Sequence, residues 1–462
     1  MAKSADLTRR DLLRTTGAVA ATAAATRVAG PAIRKAKAAN NQVTYAVIGT
    51  GGRGQYLLNH LSKIDSGRCL AVCDIYEPNL KKGAAAIGNN PKMYADYREL
   101  LTRQDIDAVI IAVPLYEHFR ITRDALLAGK HVFCEKSLVF KPEEVHQLRK
   151  LAGERPKQIL QVGLQRRYSQ FYQTAKQAIE KGMIGQVTHI NAQWNRNPGW
   201  TMKPFPTRQR EMNWRLFREY SGGLTAELAS HQIDVADWIF GSQPEFVTGV
   251  GGLDLRKDGR DVYDNIQLIF KYPKGQKMMY QAISSNRHLN LFGGTRTEFG
   301  ETILGTEGTI EITVGTDSEP AIAMWYYEPS PAQPTAADLK KEKAAVASAT
   351  LTSTAAGRRG LPLMLSRDLV TGKESFLERE MKYARMWMYR KGVMVPQEDQ
   401  NPVDTQMEGF FESVRTGKKP LADLEIGLAD STMVILANLA MDEGRRVYFN
   451  EIEKMGVEPK KG

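Results

Sequence analysis

The sequence predicts two successive architectures: an α/β domain on a doubly wound parallel sheet, then an α+β domain with a mainly antiparallel sheet. Two patterns carry this. From residue 41 to about 165, short wholly apolar runs alternate with stretches of helical spacing, the mark of strands buried on both faces and joined by crossover helices. From about 166 onward the runs lengthen and alternate apolar with polar, as strands with one buried face do. At 462 residues, 42% hydrophobic and 25% charged, the chain has the length for two or three domains and the composition of a globular protein.

In the first domain the run Val43–Ile48 leads into Gly49-Thr50-Gly51-Gly52-Arg53-Gly54, and helical spacing follows over 55–63. Further strands are predicted at 69–73, ending at Asp74, at 108–113, ending at Pro114, and at His131–Cys134, ending at Glu135. In the second domain, 166–462, strands are predicted at Val187–Trp194, 246–253, 265–272, 277–285 and 309–314, with Tyr272-Pro273-Lys274-Gly275 as a turn. One helix, 224–240, interrupts them. Residues 328–366, rich in Pro, Ala, Thr and Ser, read as an insertion, and helices over 373–390 and 429–443 complete the chain.

The net charge of +11 is unevenly spread. Residues 1–38 hold eight Lys/Arg against two Asp/Glu, and the remainder 55 against 50. The bulk of the chain therefore lacks the basic bias of a nucleic-acid binder, and no nucleic-acid partner is expected. The leader carries Arg9-Arg10, a weakly apolar Ala/Thr/Val stretch and Ala36-Lys37-Ala38. It resembles a twin-arginine signal peptide, which implies the export machinery as a partner and a periplasmic or secreted destination. Past residue 40 no apolar run of about 18 residues is read, and no Cys directly follows the leader's apolar stretch, so no membrane anchor is expected. Cys69, Cys73 and Cys134 match no zinc spacing, and an odd number cannot form a disulfide framework. His60, His131, His146, His189 and His288 show no metal-ligand spacing either, so no metal is expected.

Gly49, Gly51 and Gly54 form G-x-G-x-x-G between a strand and a helix, and Asp74 stands at a strand end twenty residues beyond Gly54. Glycines there allow a tight turn and close approach of backbone to a pyrophosphate, the helix N-terminus faces the anion, and the distal acid accepts from ribose hydroxyls. This predicts a Rossmann domain over 41–165 with NAD as cofactor, since Asp74 would repel a 2′-phosphate.

With Ala112-Val113-Pro114 and His118, Glu135-Lys136, Gly163-Leu164-Gln165-Arg166-Arg167, Gly222-Gly223 leading to Glu227, His231 and Asp234, Gly305-Thr306-Glu307-Gly308 and Gly444-Arg445, the chain resembles the Gfo/Idh/MocA oxidoreductases. The resemblance implies an open-faced sheet in the second domain, commonly used for homo-oligomerisation, and cofactor contacts at Pro114, His118, Glu135 and Gln165. It also implies Lys136 as catalytic lysine and His231 as the histidine on the substrate side. The family usually has Pro where this chain has Ser137, and more often Asp where it has Glu227.

A lysine beside a cationic nicotinamide can exchange the hydroxyl proton of a secondary alcohol. On residues alone Lys136 could also be a solvated lysine, but its place at a strand end beside Glu135 favours the catalytic reading. Glu227 and His231, four apart on a predicted helix, would face one side, as a catalytic pair or a structural one. Trp194, Trp200 and Trp214 with Arg196, Arg208, Arg210, Arg215 and Arg218 suit sugar recognition or ordinary packing. The expected function is oxidation or reduction of a secondary hydroxyl of a sugar, cyclitol or glycoside with tightly held NAD. The alternatives are an NAD-dependent, redox-neutral glycoside hydrolase and a noncatalytic carbohydrate-binding or assembly protein.

Overall fold

The computed structural model describes residues 42–196, 199–286, 299–313, 322–327, 361–362 and 400–457. The leader, the 373–390 segment and all of 328–366 except Leu361 and Pro362 lie outside the described residues.

Six parallel strands and their crossover helices form the first layer. In chain order these are β1 (Val43–Ile48), α1 (Gly52–Leu61), β2 (Gly67–Cys73), α2 (Glu77–Ile87), β3 (Lys92–Tyr94), α3 (Tyr97–Leu101), β4 (Ala108–Ile111), α4 (His118–Leu127), β5 (His131–Cys134), α5 (Pro142–Gly153) and β6 (Leu160–Val162). The strand order is β3-β2-β1-β4-β5-β6, all parallel. The chain reverses its direction of winding between β1 and β4, where a crevice opens at the strands' C-terminal ends. Val47, Val109, Ile110 and Phe133 are fully buried, which is why these strands show no alternation. Strand β4 ends at Ile111 rather than at 113: Ala112 packs against the glycine loop and Pro114 cannot extend a ladder.

The chain continues with α6 (Gln170–Glu180), β7 (Val187–Trp194), α7 (Gln209–Met212), α8 (Ser230–Phe240), β8 (Phe246–Gly252), β9 (Asn265–Lys271), β10 (Lys277–Ile283), β11 (Phe299–Gly305), β12 (Gly308–Thr313), β13 (Ile322–Tyr327), β14 (Leu361–Pro362), α9 (Pro402–Thr416), α10 (Leu424–Glu443) and β15 (Val447–Tyr448), and the sheet in this part builds the second layer. Its strands run β14-β13-β12-β11-β7-β10-β9-β8-β15, antiparallel except where β7 and β10 lie parallel. One face, with Leu268, Phe270, Met278 and Tyr280, is buried in the same core as α6, α8 and α10. On the other face Ile269 and Met279, paired across β9 and β10, stay 45% and 48% exposed.

Two further expectations need correction. The helix expected over 224–240 is divided: Thr225–Ala229 is a π-helical turn, and only Ser230–Phe240 is α-helical. Ser230 Oγ bonds back to the Ala226 carbonyl, which also accepts from Lys136, and such competing donors open the i→i+4 ladder. The second correction concerns 402–416, which the sequence assigns to the second domain and does not read as a helix. It forms α9, whose Val403, Met407, Phe410 and Phe411 complete the core around Tyr45, Leu57, Leu58 and Phe133 of the first layer. Helix α10 is long and apolar enough to cross a membrane by length and composition. It is apolar on several sides because it packs against both layers, Leu428 in one core and Met433, Val434 and Leu436 in the other.

Candidate active site

A cleft of about 980 Å³ lies over the C-terminal ends of β1, β4 and β5 and is roofed by residues 205–215 of the second layer. Its volume is at the upper end for a small-molecule site.

The glycine loop forms the cleft floor. Gly49 has φ +91°, and a Cβ there would lie 2.5 Å from the Ala112 carbonyl oxygen; at Gly54 it would lie 2.0 Å from the Gly49 oxygen. These two glycines answer to the protein's own packing. At Gly51 the nearest atom would be Asn79 Nδ2 at 3.7 Å, so the middle glycine leaves open space for a ligand against the N-terminus of α1, which no side chain caps. That cradle fits a pyrophosphate. Asp74 stands at the cleft edge with Oδ2 accepting from the Thr50 amide (2.8 Å) and Oδ1 from the Tyr76 amide (2.8 Å). The carboxylate is held in place and keeps acceptor capacity for ribose hydroxyls. These residues therefore fit NAD.

Arg53, an unassigned position inside the glycine motif, joins this floor to the end of β5. Its Nε donates to Glu135 Oε1 (2.7 Å) and its Nη2 to Gln165 Oε1 (2.9 Å). Gly163 has no room for a side chain, since a Cβ would lie 2.7 Å from Glu135 Oε2. Glu135, Gln165 and Pro114 all line the cleft.

His118 also borders the cleft, but its ring nitrogens are spent on the protein. Nδ1 bonds the Ser137 carbonyl (2.7 Å) and Nε2 the Val113 carbonyl (2.9 Å). Carbonyls only accept, so both bonds exist together only in the doubly protonated ring. Burial opposes that charge, yet the adjacent Cys134 and the two carbonyls outweigh it and lift the imidazole to about 9. His118 is thus a brace between the strand ends rather than the direct cofactor contact the sequence led us to expect.

Lys136 leaves the end of β5, and the Lys136–Ser137 peptide is cis. Its Nζ donates to the carbonyls of Ala226 (2.9 Å) and Glu227 (2.7 Å). The π turn presents both carbonyls to it. Burial, first of all, pushes the Lys136 ammonium below its ordinary value. The Glu227 carboxylate accepts from Arg215 Nε (2.8 Å). Burial favours its neutral form, but the Arg215 guanidinium and Lys136 outweigh that and hold it below the usual carboxylate range.

His231 completes the wall, 5.6 Å from the Trp194 ring centroid, with Nδ1 buried and unpartnered. Burial, then the charges of Lys136, Arg166 and Arg53, drive it well below 6.5, so it is a neutral imidazole.

The structure thus brings Gly49, Gly51, Asp74, Pro114, His118, Glu135, Lys136, Gln165, Glu227 and His231 to one cleft, with Gly54 packed beneath. It takes Asp234 elsewhere: that carboxylate grips Arg167 Nε (2.8 and 3.0 Å) in the interior. Of the tryptophan and arginine cluster, Trp194, Trp214, Arg208 and Arg215 line the cleft. Arg218 instead pairs with Asp442. Sequence reasoning gave no role to Arg53 and none at Glu227 to Arg215. The only signal for Arg53 was a basic residue inside a glycine loop that meets an anion.

Two family descriptions match the chain: "Oxidoreductase family, NAD-binding Rossmann fold" over residues 43–164, and "GFO/IDH/MocA C-terminal domain" over 172–311. Together they cover more than half of it. An uncharacterized oxidoreductase of Synechocystis sp. is 32% identical over 205 residues, 43% of this chain and 52% of that protein. An inositol 2-dehydrogenase/D-chiro-inositol 3-dehydrogenase of Shouchella clausii is 28% identical over 207 residues, 44% and 55% of the two chains. The chain spans about half the length of these curated relatives. The crystal structure of scyllo-inositol dehydrogenase from Lactobacillus casei with bound NAD(H) and scyllo-inositol superposes with TM-score 0.61 at 17% identity, over 88% of this chain and 99% of that one. At that identity the likeness concerns the fold.

Proposed function

Because the chain belongs to the Gfo/Idh/MocA oxidoreductase family, we propose that it is an NAD-dependent oxidoreductase acting on a secondary hydroxyl of a sugar, cyclitol or glycoside, with its cofactor tightly held. The observation that carries this reading is the anchoring of Lys136. Two of its three Nζ positions are fixed on the Ala226 and Glu227 carbonyls. One position remains, which is a lone pair in the amine and a proton in the ammonium.

When bound, NAD supplies a two-electron acceptor for the carbinol carbon. Lys136 then receives the hydroxyl proton at its remaining Nζ position as the carbinol becomes a ketone, and returns it in the reverse direction. Burial of Lys136 lowers the cost of starting from the free amine. Neutral His231 offers the substrate hydroxyl a hydrogen bond without competing for the proton as a cation. The Trp194 and Trp214 rings in the wall suit the apolar C–H faces of a sugar or cyclitol ring. Inositol dehydrogenases among the relatives support the substrate class.

The test is Lys136→Met, which keeps the side chain's length and removes the amine. NAD occupancy should be retained, while single-turnover reduction of bound NAD by an active polyol slows about 100- to 10,000-fold. Reduction at the parent rate would remove Lys136 from the reaction. Aglycone release from a glycoside with no net NAD reduction would replace this reading by a redox-neutral hydrolase.

A further inference from the structure

We propose that Arg215 is a positioning residue of this cleft: its ion pair with Glu227 holds the π turn that anchors Lys136 and cancels a carboxylate charge beside the amine. The inference rests on the reading of Lys136 as the proton carrier, and goes beyond it by assigning the residue that sets the lysine's charge environment.

Arg215 is held on several sides. Its guanidinium lies 4.2 Å from the Trp214 ring centroid and 5.6 Å from that of Trp200. Trp200 is in turn covered by Arg196 at 4.9 Å, and its carbonyl accepts from Arg260 Nη2 at 2.8 Å. Stacking on aromatic faces fixes a guanidinium plane that a solvated arginine would not keep. From this seat Nε reaches Glu227 Oε2, whose side chain is only 11% exposed. Glu227 therefore touches Lys136 through its backbone carbonyl and Arg215 through its carboxylate.

The charges around Lys136 show why the pair matters. The groups facing it are Glu227, Glu135, Asp430 and Arg215, with the neutral imidazole of His231 beside them. Glu135 is answered by Arg53. Asp430, on α10, is buried with both carboxyl oxygens unpartnered and is pushed by burial toward its neutral form. Glu227 is answered first by Arg215, with the His118 cation a smaller influence on it. Without Arg215 the buried Glu227 carboxylate would face the amine with only the smaller influence of the His118 cation set against it, and a nearby opposite charge favours the ammonium. The lysine would then be a poorer proton acceptor near neutral pH.

The test reads the amine directly and needs no substrate. The full-length protein with NAD is treated with acetic anhydride between pH 6 and 11, and acetylation of the Lys136 peptide is followed by mass spectrometry. In Arg215→Met the inflection should move up by about one pH unit. Arg215→Lys should restore most of the original position, and Arg215→Met/Glu227→Gln should return close to the parent, because both charges are then gone. An unchanged inflection in a folded Arg215→Met protein overturns the proposal, as does a double variant that stays displaced like the single one. Should Arg215→Met fail to fold, Glu227→Gln decides: a downward move of about one pH unit is expected, and no movement overturns the proposal. Lys136→Met turnover, by contrast, tests only the reaction, so the two readings fail separately.

Discussion

Arg53 Nε lies 2.7 Å from Glu135 Oε1, so the glycine loop after β1 is tied to the strand end that carries Lys136. The glycine loop and the Lys136 amine thus share one floor, and the same guanidinium reaches Gln165.

Arg53→Met removes both bonds and leaves the Glu135 carboxylate uncompensated beside the site of a pyrophosphate. Charge-assisted hydrogen bonds contribute roughly 1.5–3 kcal/mol, so NAD affinity should fall about tenfold or more. Calorimetric titration checks it. Unchanged affinity would show that the glycine loop alone holds the cofactor.

His118 should make stability depend on pH in the alkaline range. Its folded-state value, about 9, is raised above the ordinary 6.5, so its contribution is fully present below about 6.5 and is lost as pH rises through about 9. The loss amounts to at most about 3 kcal/mol. Urea unfolding at pH 6.5 and 9.5 should show the decline in the parent and a clearly smaller one in His118→Gln. Equal declines in both would mean that the ring does not fold as a cation.

The packing of α9 on the first sheet predicts that Phe411→Ala destabilises the cofactor domain. Phe411 is fully buried, with its ring 5.1 Å from that of Tyr45, and truncation of such a residue costs about 3–5 kcal/mol. The loss should appear as a lower urea midpoint and weaker NAD binding together. Loss confined to the second layer, with NAD affinity intact, would contradict this packing.

For the leader we propose export by the twin-arginine route. Arg9→Lys with Arg10→Lys should leave the protein in the cytoplasm, folded and holding NAD, as judged by cell fractionation. A double-Lys protein recovered from the periplasm would end this proposal.

The sequence by itself determined what local chemistry dictates. Gly49, Gly51, Gly54 and Asp74 have spacings that make sense only around a strand, a tight turn and a helix N-terminus, and continuous apolar runs such as 108–111 mark strands covered on both faces. Lys136 and His231 were legible through the motifs around them. Tertiary structure decided the rest, because it depends on groups far apart in sequence. The π turn at Thr225–Ala229 exists where Lys136, some ninety residues earlier, competes for its carbonyls. His118 changes from cofactor contact to brace because Ser137 and Val113 converge on its ring. Helix α9 joins the first core because Phe410 and Phe411 find Tyr45 and Phe133 there. No periodicity records which sheet an apolar helix will cover, nor which carboxylate an arginine will meet; those follow from the burial the whole chain achieves at once.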